Sequence, residues 1–468
     1  MLQQSLRGGM RINATVAKAS PALLRCILQR RPPSPRELRQ LFETLGVTYI
    51  KLGQFIASSP SFFPPAYIEE FQHCLDRTPN LPYKTIRKII ASELDGRLST
   101  TFRSINPVPL ASASIAQVHA ATLCDGTEVV IKVQKPAVAD IINTDLNTAF
   151  FVARLLELVS PALGKSAITD IIEELHQSMI DECDFVKEAN NLREFNRFVK
   201  QHGIAGVFAP RPIAAASTTH ILTMERVYGR AITDPALQQP AQRERVQSAL
   251  FAALQTWFLS ISSCSFFHAD LHSGNMLLQE DGRVAFIDFG MVGTLNDRVW
   301  RGVLELYTGI STANIEQVAA AMIDIGMTRH KVYQPELVND LKAVMALVDD
   351  AASDAPGCAP DNAPNNAGSD APDSGNEAIE QYAQQQLSAL MRVATRHGIR
   401  FPSAFTLLLK QLLYFDRYLD LLAPGTQLFD AEVVGGGLFE QSAAGNINAL
   451  ENFIESTLTA TGSSAEIA

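Results

Sequence analysis

Two short segments, in a fixed order, hold the residue types that phosphoryl transfer requires. His268-Ala269-Asp270-Leu271-His272-Ser273-Gly274-Asn275 sets an acid five residues before an Asn, and Asp288-Phe289-Gly290 begins thirteen residues beyond that Asn. Moving a phosphoryl group needs metal ions bridging the phosphates and a group that orients the attacking hydroxyl. Asp270 is placed to face the nucleophile, and Asn275 to turn back onto a metal. Asp288 ends the apolar run Val284-Ala285-Phe286-Ile287 and is followed by Gly290, so it is placed to hold the same ion. Hard oxygen donors of this kind suit Mg²⁺. The tripeptide alone recurs by chance; the ordered pair of segments does not.

Upstream, Val129-Val130-Ile131-Lys132-Val133 sets one lysine inside an apolar strand. A lysine buried there is costly unless it is paired. Downstream acids offer the partner, with Glu188 the candidate and Glu182 the alternative; the pair would hold Lys132 against the α- and β-phosphates of ATP. Before this strand the chain reads Pro109-Leu110-Ala111-Ser112-Ala113-Ser114-Ile115-Ala116-Gln117-Val118-His119. Small side chains at Ala111, Ser112, Ala113 and Ser114 let backbone N–H groups approach phosphates. Alanine lacks glycine's access to positive φ, so such a loop is stiffer than a Gly-rich one.

Behind these residues stands a chain of 468 residues with 47% hydrophobic and 19% charged residues, enough apolar material for a sizeable core. Its net charge of −10 argues against nucleic-acid binding, which needs a basic face. Six scattered cysteines without a C-x-x-C pair argue against a zinc site or a disulfide framework. The stretch 246–267 is free of charge and long enough to span a membrane, yet it carries glutamine and several serines and leads straight into His268, so it reads as a buried core helix.

The elements follow from pattern. Residues 1–34 form a basic, acid-free segment, a candidate targeting or membrane-surface helix. A helical extension covers 35–95, with Pro64-Pro65 opening its second helix. Two strands, Ser114 to Leu123 and Thr127 to Gln134, meet at Cys124-Asp125-Gly126, a hairpin signal. A long helix is expected from about Ile168 to Lys200, with Asp184 and Glu188 on one face and Asn191 three residues on. A strand ends at Glu225, and helix dominates afterwards. Residues 349–378, rich in Ala, Asp, Pro, Asn and Gly, read as a disordered acidic insertion. Helix returns over 379–424, and 425–468 is a weakly periodic tail.

These residues resemble the UbiB/AarF/ADCK family of atypical protein-kinase-like ATPases. Tyr49-Ile50-Lys51-Leu52-Gly53-Gln54 is similar to its K-x-G-Q signature, and Ala111 to His119 to the Ala-rich loop that replaces the kinases' Gly-rich loop. Glu182-Cys183-Asp184-Phe185 matches its E-x-D motif, with Glu188, Ala189 and Asn191 behind it, and Met224 to Gly229 resembles the hinge between lobes. The resemblance implies an α+β, two-lobed protein-kinase-like fold with an N-terminal helical extension and a largely helical C-lobe. The kinase-like domain would span 96–348, with the N-lobe to about 224 and the C-lobe after 229. It also implies that Lys51 and Gln54 fold over the pocket where a protein substrate would sit, with Lys51 turned toward the nucleotide and Glu182, and that Met224 lines the nucleotide pocket.

The implied activity is Mg²⁺-dependent ATP hydrolysis or phosphorylation of a small or lipid acceptor, in support of ubiquinone biosynthesis. Asp270, Lys132 and Lys51 are then the catalytic expectation, and Asn275 and Asp288 the metal ligands. ATP, Mg²⁺, an isoprenoid lipid or quinone precursor, and quinone-biosynthesis enzymes are the implied partners. The expected location is cytoplasmic and peripheral at the inner membrane, without a transmembrane segment. Two other readings stay open: a nucleotide-binding scaffold with little turnover, and a small-molecule kinase like the aminoglycoside phosphotransferases, against which Lys51 and Gln54 count.

Overall fold

A computed structural model describes residues 34–57, 65–72, 80–159, 179–264, 266–312, 314–328, 332–353 and 396–426, with a few isolated positions besides. The basic segment 1–33, most of the acidic insertion and the tail lie outside the described residues.

The extension opens with α1 (Pro35–Leu45), α2 (Val47–Ala57), α3 (Pro65–Gln72) and α4 (Tyr83–Glu93). Ser34 and Glu37 close a capping box at α1: the Ser34 N–H donates to Glu37 Oε2 at 2.9 Å, and Ser34 Oγ accepts from the Glu37 N–H at 3.4 Å. An antiparallel sheet follows, β1 (Phe102–Ser112), β2 (Ala116–Leu123), β3 (Glu128–Gln134) and β5 (Ile221–Glu225), in the order β1-β2-β3-β5. The β2–β3 hairpin turns where the sequence places it, at Gly126 with φ +94°. Register sets Lys132 opposite Val118 and Leu222. Gln117 ties the extension to this sheet, accepting from the Leu81 N–H at 2.8 Å.

After α5 (Val138–Val159) comes α6 (Phe185–Gln201). It does not run unbroken from residue 168: Asp184 is its N-cap, accepting from the Val186 and Lys187 N–H groups at 3.0 and 3.2 Å. An Asx cap competes with helix continuation, and it places Asp184 outside the helical face that Glu188 occupies. That face carries Phe185, Glu188, Ala189, Leu192, Phe195, Phe198 and Val199, all buried at three- and four-residue spacing.

A second sheet, ordered β4-β9-β8-β6, holds β4 (Val207–Phe208), β6 (Arg230–Ala231), β8 (Met276–Leu278) and β9 (Val284–Phe286). Around it lie α7 (Arg243–Ser263), α8 (Asp297–Ser311), α9 (Ile315–Ile325), α10 (Gln334–Ser353) and α11 (Ser403–Leu422). The uncharged stretch at 246–267 is largely α7, packed inside the core with Leu250, Ala253, Leu254 and Trp257 inaccessible. Among the described residues no helix is long and apolar enough to cross a membrane. Helix α10 carries Asp349–Ser353, so the first residues of the expected insertion are helical. The helix expected over 379–424 is interrupted: Gly398 turns at φ +71°, β12 (Ile399–Arg400) pairs with β11 (Met327–Thr328), and Pro402 caps α11. The fold is α+β, with one core joining α6, α7, β8, β9 and α11.

Candidate active site

Three elements converge on Lys132. Strand β3 delivers it, α6 delivers Glu188, and the turn after β9 delivers Asp288. Lys132 Nζ donates to Glu188 Oε1 and Oε2 at 2.9 and 3.0 Å and to Asp288 Oδ1 at 3.0 Å. Of the two acids open as partners, Glu188 is the one Lys132 meets. Glu182 instead pairs with Lys51 of α2, at 2.9 Å. Burial disfavours the Lys132 ammonium, but the two carboxylates outweigh it and raise its pKa above the ordinary lysine value. Glu188, 2% exposed, is pushed up to about 7 by burial, with Asp288 adding to the rise against the pull of Lys132. For Asp288 burial works upward too, yet Lys132 wins and holds this carboxyl well below the usual range.

Asp288 stands at φ +62°, a left-handed conformation uncommon for non-glycine residues, among which Asp and Asn adopt it most readily. Its Oδ1 accepts from the Gly290 N–H at 3.3 Å. A Cβ at Gly290 would lie 3.2 Å from that oxygen and 4.0 Å from Glu188 Oε2, so glycine keeps the space beside both acids open. Asn191 steadies the same turn by donating to the Phe289 carbonyl at 3.0 Å.

The loop of Asp270 is held from several sides. Strand β7 (Phe267–His268) pairs with β10 (Val292–Gly293), Trp257 Nε1 donates to the His268 carbonyl at 2.7 Å, and His268 Nδ1 accepts from the Asp270 N–H at 3.1 Å. Asn275 donates through Nδ2 to the Asp270 carbonyl at 2.8 Å, leaving Oδ1 as its acceptor side, and its own carbonyl receives the Ile287 N–H at 3.0 Å. The Asp270 and Asp288 segments are thus one hydrogen-bonded unit.

Helix α11 completes the loop. Gln411, fully buried, accepts from the Leu271 N–H at 2.7 Å and donates back to the Leu271 carbonyl at 3.3 Å, while Lys410 Nζ meets Asp270 Oδ1 at 2.9 Å. Burial would raise Asp270, but Lys410 and His272 bring its pKa below the ordinary value. Sequence reasoning did not single out Lys410 or Gln411. Their signal was there: a Lys-Gln pair inside the apolar run Leu407-Leu408-Leu409-Lys410-Gln411-Leu412-Leu413 must find partners when that helix is buried.

The Ala-rich segment forms the end of the β1–β2 hairpin. Ala111 and Ser112 belong to β1, and the Ala113 N–H donates to the Ala116 carbonyl at 2.9 Å across the turn. Ser114 is fully buried at that turn. Met224 lies buried in β5, paired across the sheet with Val130. Gln54 belongs to α2, and its side chain lies outside the described residues.

The donor set suits a magnesium–triphosphate complex. Among the described residues no group of three or more His, Cys, Asp or Glu could hold a metal ion unaided. A carboxylate at Asp288 and an amide oxygen at Asn275, joined by phosphate oxygens, are the hard ligands Mg²⁺ takes when it binds with a nucleotide.

His268, 2% exposed, is driven down to about 4, chiefly by burial. Its native pKa therefore lies below the unfolded value of about 6.5, so the unfolded chain binds more protons between those limits and stability is lost as pH falls through them. From pH 7 to 4.5 this one group removes up to about 3 kcal/mol. Denaturant titrations of wild type and His268→Gln at both pH values should show a smaller acid loss in the variant by up to that amount; equal losses would dismiss the assignment.

The comparisons with known proteins agree with this architecture. The ABC1 atypical kinase-like domain matches residues 73–322. An uncharacterized aarF domain-containing protein kinase of Arabidopsis thaliana, described as chloroplastic, is 40% identical over 401 residues, which is 84% of this chain and 73% of that protein. A probable protein kinase UbiB of Aliivibrio fischeri is 31% identical over 301 residues, 63% of this chain and 54% of its own length. A Mycobacterium tuberculosis structure solved with erythromycin covers 88% of this chain and 98% of its own at 21% identity and a TM-score of 0.47, a likeness too loose to carry an inference. The matched domain and the α+β frame are those of a kinase-like protein. The chain belongs to the UbiB/AarF/ADCK family of ABC1 atypical kinase-like proteins.

Proposed function

We propose that the chain is an atypical kinase-like enzyme that binds Mg²⁺–ATP between two lobes, hydrolyses it or passes the γ-phosphoryl group to a small or lipid acceptor, and supports isoprenoid-quinone biosynthesis. The observation that carries this reading is Lys132 held between Glu188 and Asp288 at 2.9 and 3.0 Å, a pre-aimed ammonium beside a metal-ligating carboxylate. The sheet β1-β2-β3-β5 is the N-lobe, and the helical part around the second sheet is the C-lobe. Ala111, Ser112, Ala113 and Ser114 approach the phosphates from the β1–β2 hairpin, and Met224 closes the base end.

In this reading Glu188 fixes Lys132 so that its ammonium reaches the α- and β-phosphates. Asp288 and Asn275 hold the metal, which neutralises phosphate charge when bound. Asp270, kept ionised by its neighbours, orients the attacking hydroxyl and takes its proton. Lys51, tied to Glu182, lets α2 close over the cleft, with Gln54 beside it on the same helix. The quinone role, and with it peripheral contact with a membrane carrying the acceptor, is what membership of the family implies.

The Lys51–Glu182 pair also favours a second reading, in which α2 seals the nucleotide in and occupancy alone organises other biosynthetic enzymes. Turnover separates the two. With purified protein, phosphate release from ATP should require Mg²⁺, stop with EDTA, and rise when anionic vesicles carrying a polyprenyl phenol are added. Retained ATP binding without Mg²⁺-dependent turnover under any of these conditions would establish the scaffold instead.

A further inference from the structure

The catalytic loop ends in an ion pair with a residue that neither the ordered motifs nor the family match covers. Lys410 lies outside the matched span 73–322, on α11, and reaches back 140 positions to place Nζ 2.9 Å from Asp270 Oδ1. Its placement is rigid. The neighbouring Gln411 hydrogen-bonds both the N–H and the carbonyl of Leu271, and Tyr418, two turns on, donates its hydroxyl to the same carbonyl at 3.4 Å. Nζ also sits 5.5 Å from the Tyr414 ring centroid, so the side chain is steered along its own helix toward the loop. The Lys410 side chain is 22% exposed and that of Asp270 30%, so the pair is open on one side.

Charge around the cleft makes that ammonium consequential. Among the described residues, Glu182, Glu188, Asp270 and Asp288 pair with the lysines Lys51, Lys132 and Lys410. Lys132 is committed between two acids, and Lys51 to Glu182. A triphosphate entering this acid-rich site meets the Lys410 ammonium at the attack end, where the half-exposed His272 Nε2 lies 3.9 Å from Asp270 Oδ2.

We propose that Lys410 is a catalytic residue for the γ-phosphoryl group, holding the Asp270 carboxylate with one N–H and offering its remaining donors to the γ-phosphoryl oxygens. In the transfer, the bond from the attacking oxygen to phosphorus forms while the bond to the β–γ bridging oxygen breaks, its electron pair leaving on ADP. The proton of the attacking oxygen passes to Asp270. Charge spread over the equatorial oxygens is met by Lys410 at the attack end and by Lys132 on the leaving side. An ammonium is suited to this because its three donors serve carboxylate and phosphoryl oxygens at once. The inference rests on the ATP-turnover reading of the site and extends it to a residue outside the motifs.

The test compares wild type, Lys410→Met, Lys410→Arg and Asp288→Asn in full-length protein, measuring ATP dissociation constant, kcat, and the pH dependence of kcat. Asp270 is faced by Lys410, His272 and Lys51, and Lys410 by Asp270, Tyr414 and Lys51. With the ammonium gone, Asp270 protonates more easily. Lys410→Met should therefore lower kcat about 10²–10³-fold, leave the ATP dissociation constant within about threefold, and move the acid limb of kcat to higher pH. Lys410→Arg keeps the charge and should keep that limb where wild type has it, with a smaller loss of kcat.

Lys410→Met with wild-type kcat overturns the proposal while leaving ATP turnover standing. So does a loss of kcat with an unmoved acid limb and an equal loss in Lys410→Arg, which marks a packing role. Should Lys410→Met fail to fold, a shifted acid limb in Lys410→Arg would overturn it too. Wild type without Asp288-dependent turnover would overturn the proposal and the enzymatic reading together.

Discussion

Asp288→Asn is expected to lower ATP turnover by about 10²–10³-fold or more, at unchanged fold. The substitution keeps the shape of the side chain and its acceptor oxygen for the Gly290 N–H. It removes the negative charge that holds a hard divalent cation, and one of the two carboxylates that share Lys132. With a single counter-charge left, Lys132 settles fully on Glu188, so the buried pair at 2.9 Å is kept and stability should hold. Binding of ATP in EDTA, which needs no metal ligand, should stay close to wild type; binding in Mg²⁺ should weaken. The discriminating measurement is steady-state phosphate release at saturating ATP across a Mg²⁺ titration. Turnover within a few-fold of wild type at any Mg²⁺ concentration would remove Asp288 from the metal site, and with it the reading of Lys132 as a phosphate-positioning group.

How much of this arrangement could be read from the sequence depends on how local its causes are. The β2–β3 hairpin was legible because Asp125-Gly126 states its turn chemistry within two residues. The order of the Asp270, Asn275 and Asp288 segments was legible because the chain itself fixes their spacing, and strand β9 supplies the apolar run that must precede Asp288. Lys132 could be marked as needing a carboxylate, since a lysine in an apolar strand has few other solutions. Which carboxylate it takes could not be decided from spacing, because Glu182 and Glu188 lie on either side of a helix start. Asp184 chose between them: as N-cap it begins α6 at Phe185 and turns Glu188 inward with Ala189 and Leu192, leaving Glu182 before the helix to meet Lys51. A periodic apolar pattern that continues across a cap hides it, and that is how a helix from residue 168 came to be expected.

The C-terminal contribution was hidden for a different reason. Gln411 and Lys410 act on Leu271 and Asp270 across 140 positions, and no local pattern specifies a contact at that separation. The pair could have been flagged only as an anomaly, two polar residues in a leucine-rich helix, with the partner unnamed. Likewise Gly398 and Pro402 announce the break between β12 and α11, yet the pairing of Ile399 with Thr328 is a tertiary fact. The left-handed φ of Asp288 belongs to the same class, since the contacts around it, Asn191 to Phe289, the Gly290 N–H and Lys132, come from distant parts of the chain or from the folded turn itself.

Lys132→Met is expected to cost both stability and turnover, and its pH dependence identifies the cause. Removing one partner of a buried ion pair leaves the other charge uncompensated, a loss of about 3–5 kcal/mol. Here that charge is Glu188, 2% exposed, with Asp288 beside it and, among the described residues, Lys132 as the cation both acids pair with. Glu188 already sits at about 7 with Lys132 pulling it down, so the variant raises it further. Its native pKa then lies far above the unfolded value of about 4.3, the native state binds the extra proton, and stability falls as pH rises through that window. Denaturant unfolding should therefore show a large deficit at pH 8 and a much smaller one at pH 5.5, where Glu188 is protonated and neutral. The double variant Lys132→Met/Glu188→Gln should recover most of the pH 8 deficit without recovering turnover, because neutral partners of similar size remove the desolvated charge but supply no cation for the phosphates. A deficit that is equal at both pH values, or one that the second substitution deepens, would mean that Lys132 stabilises the fold through packing against Phe185 and not through Glu188.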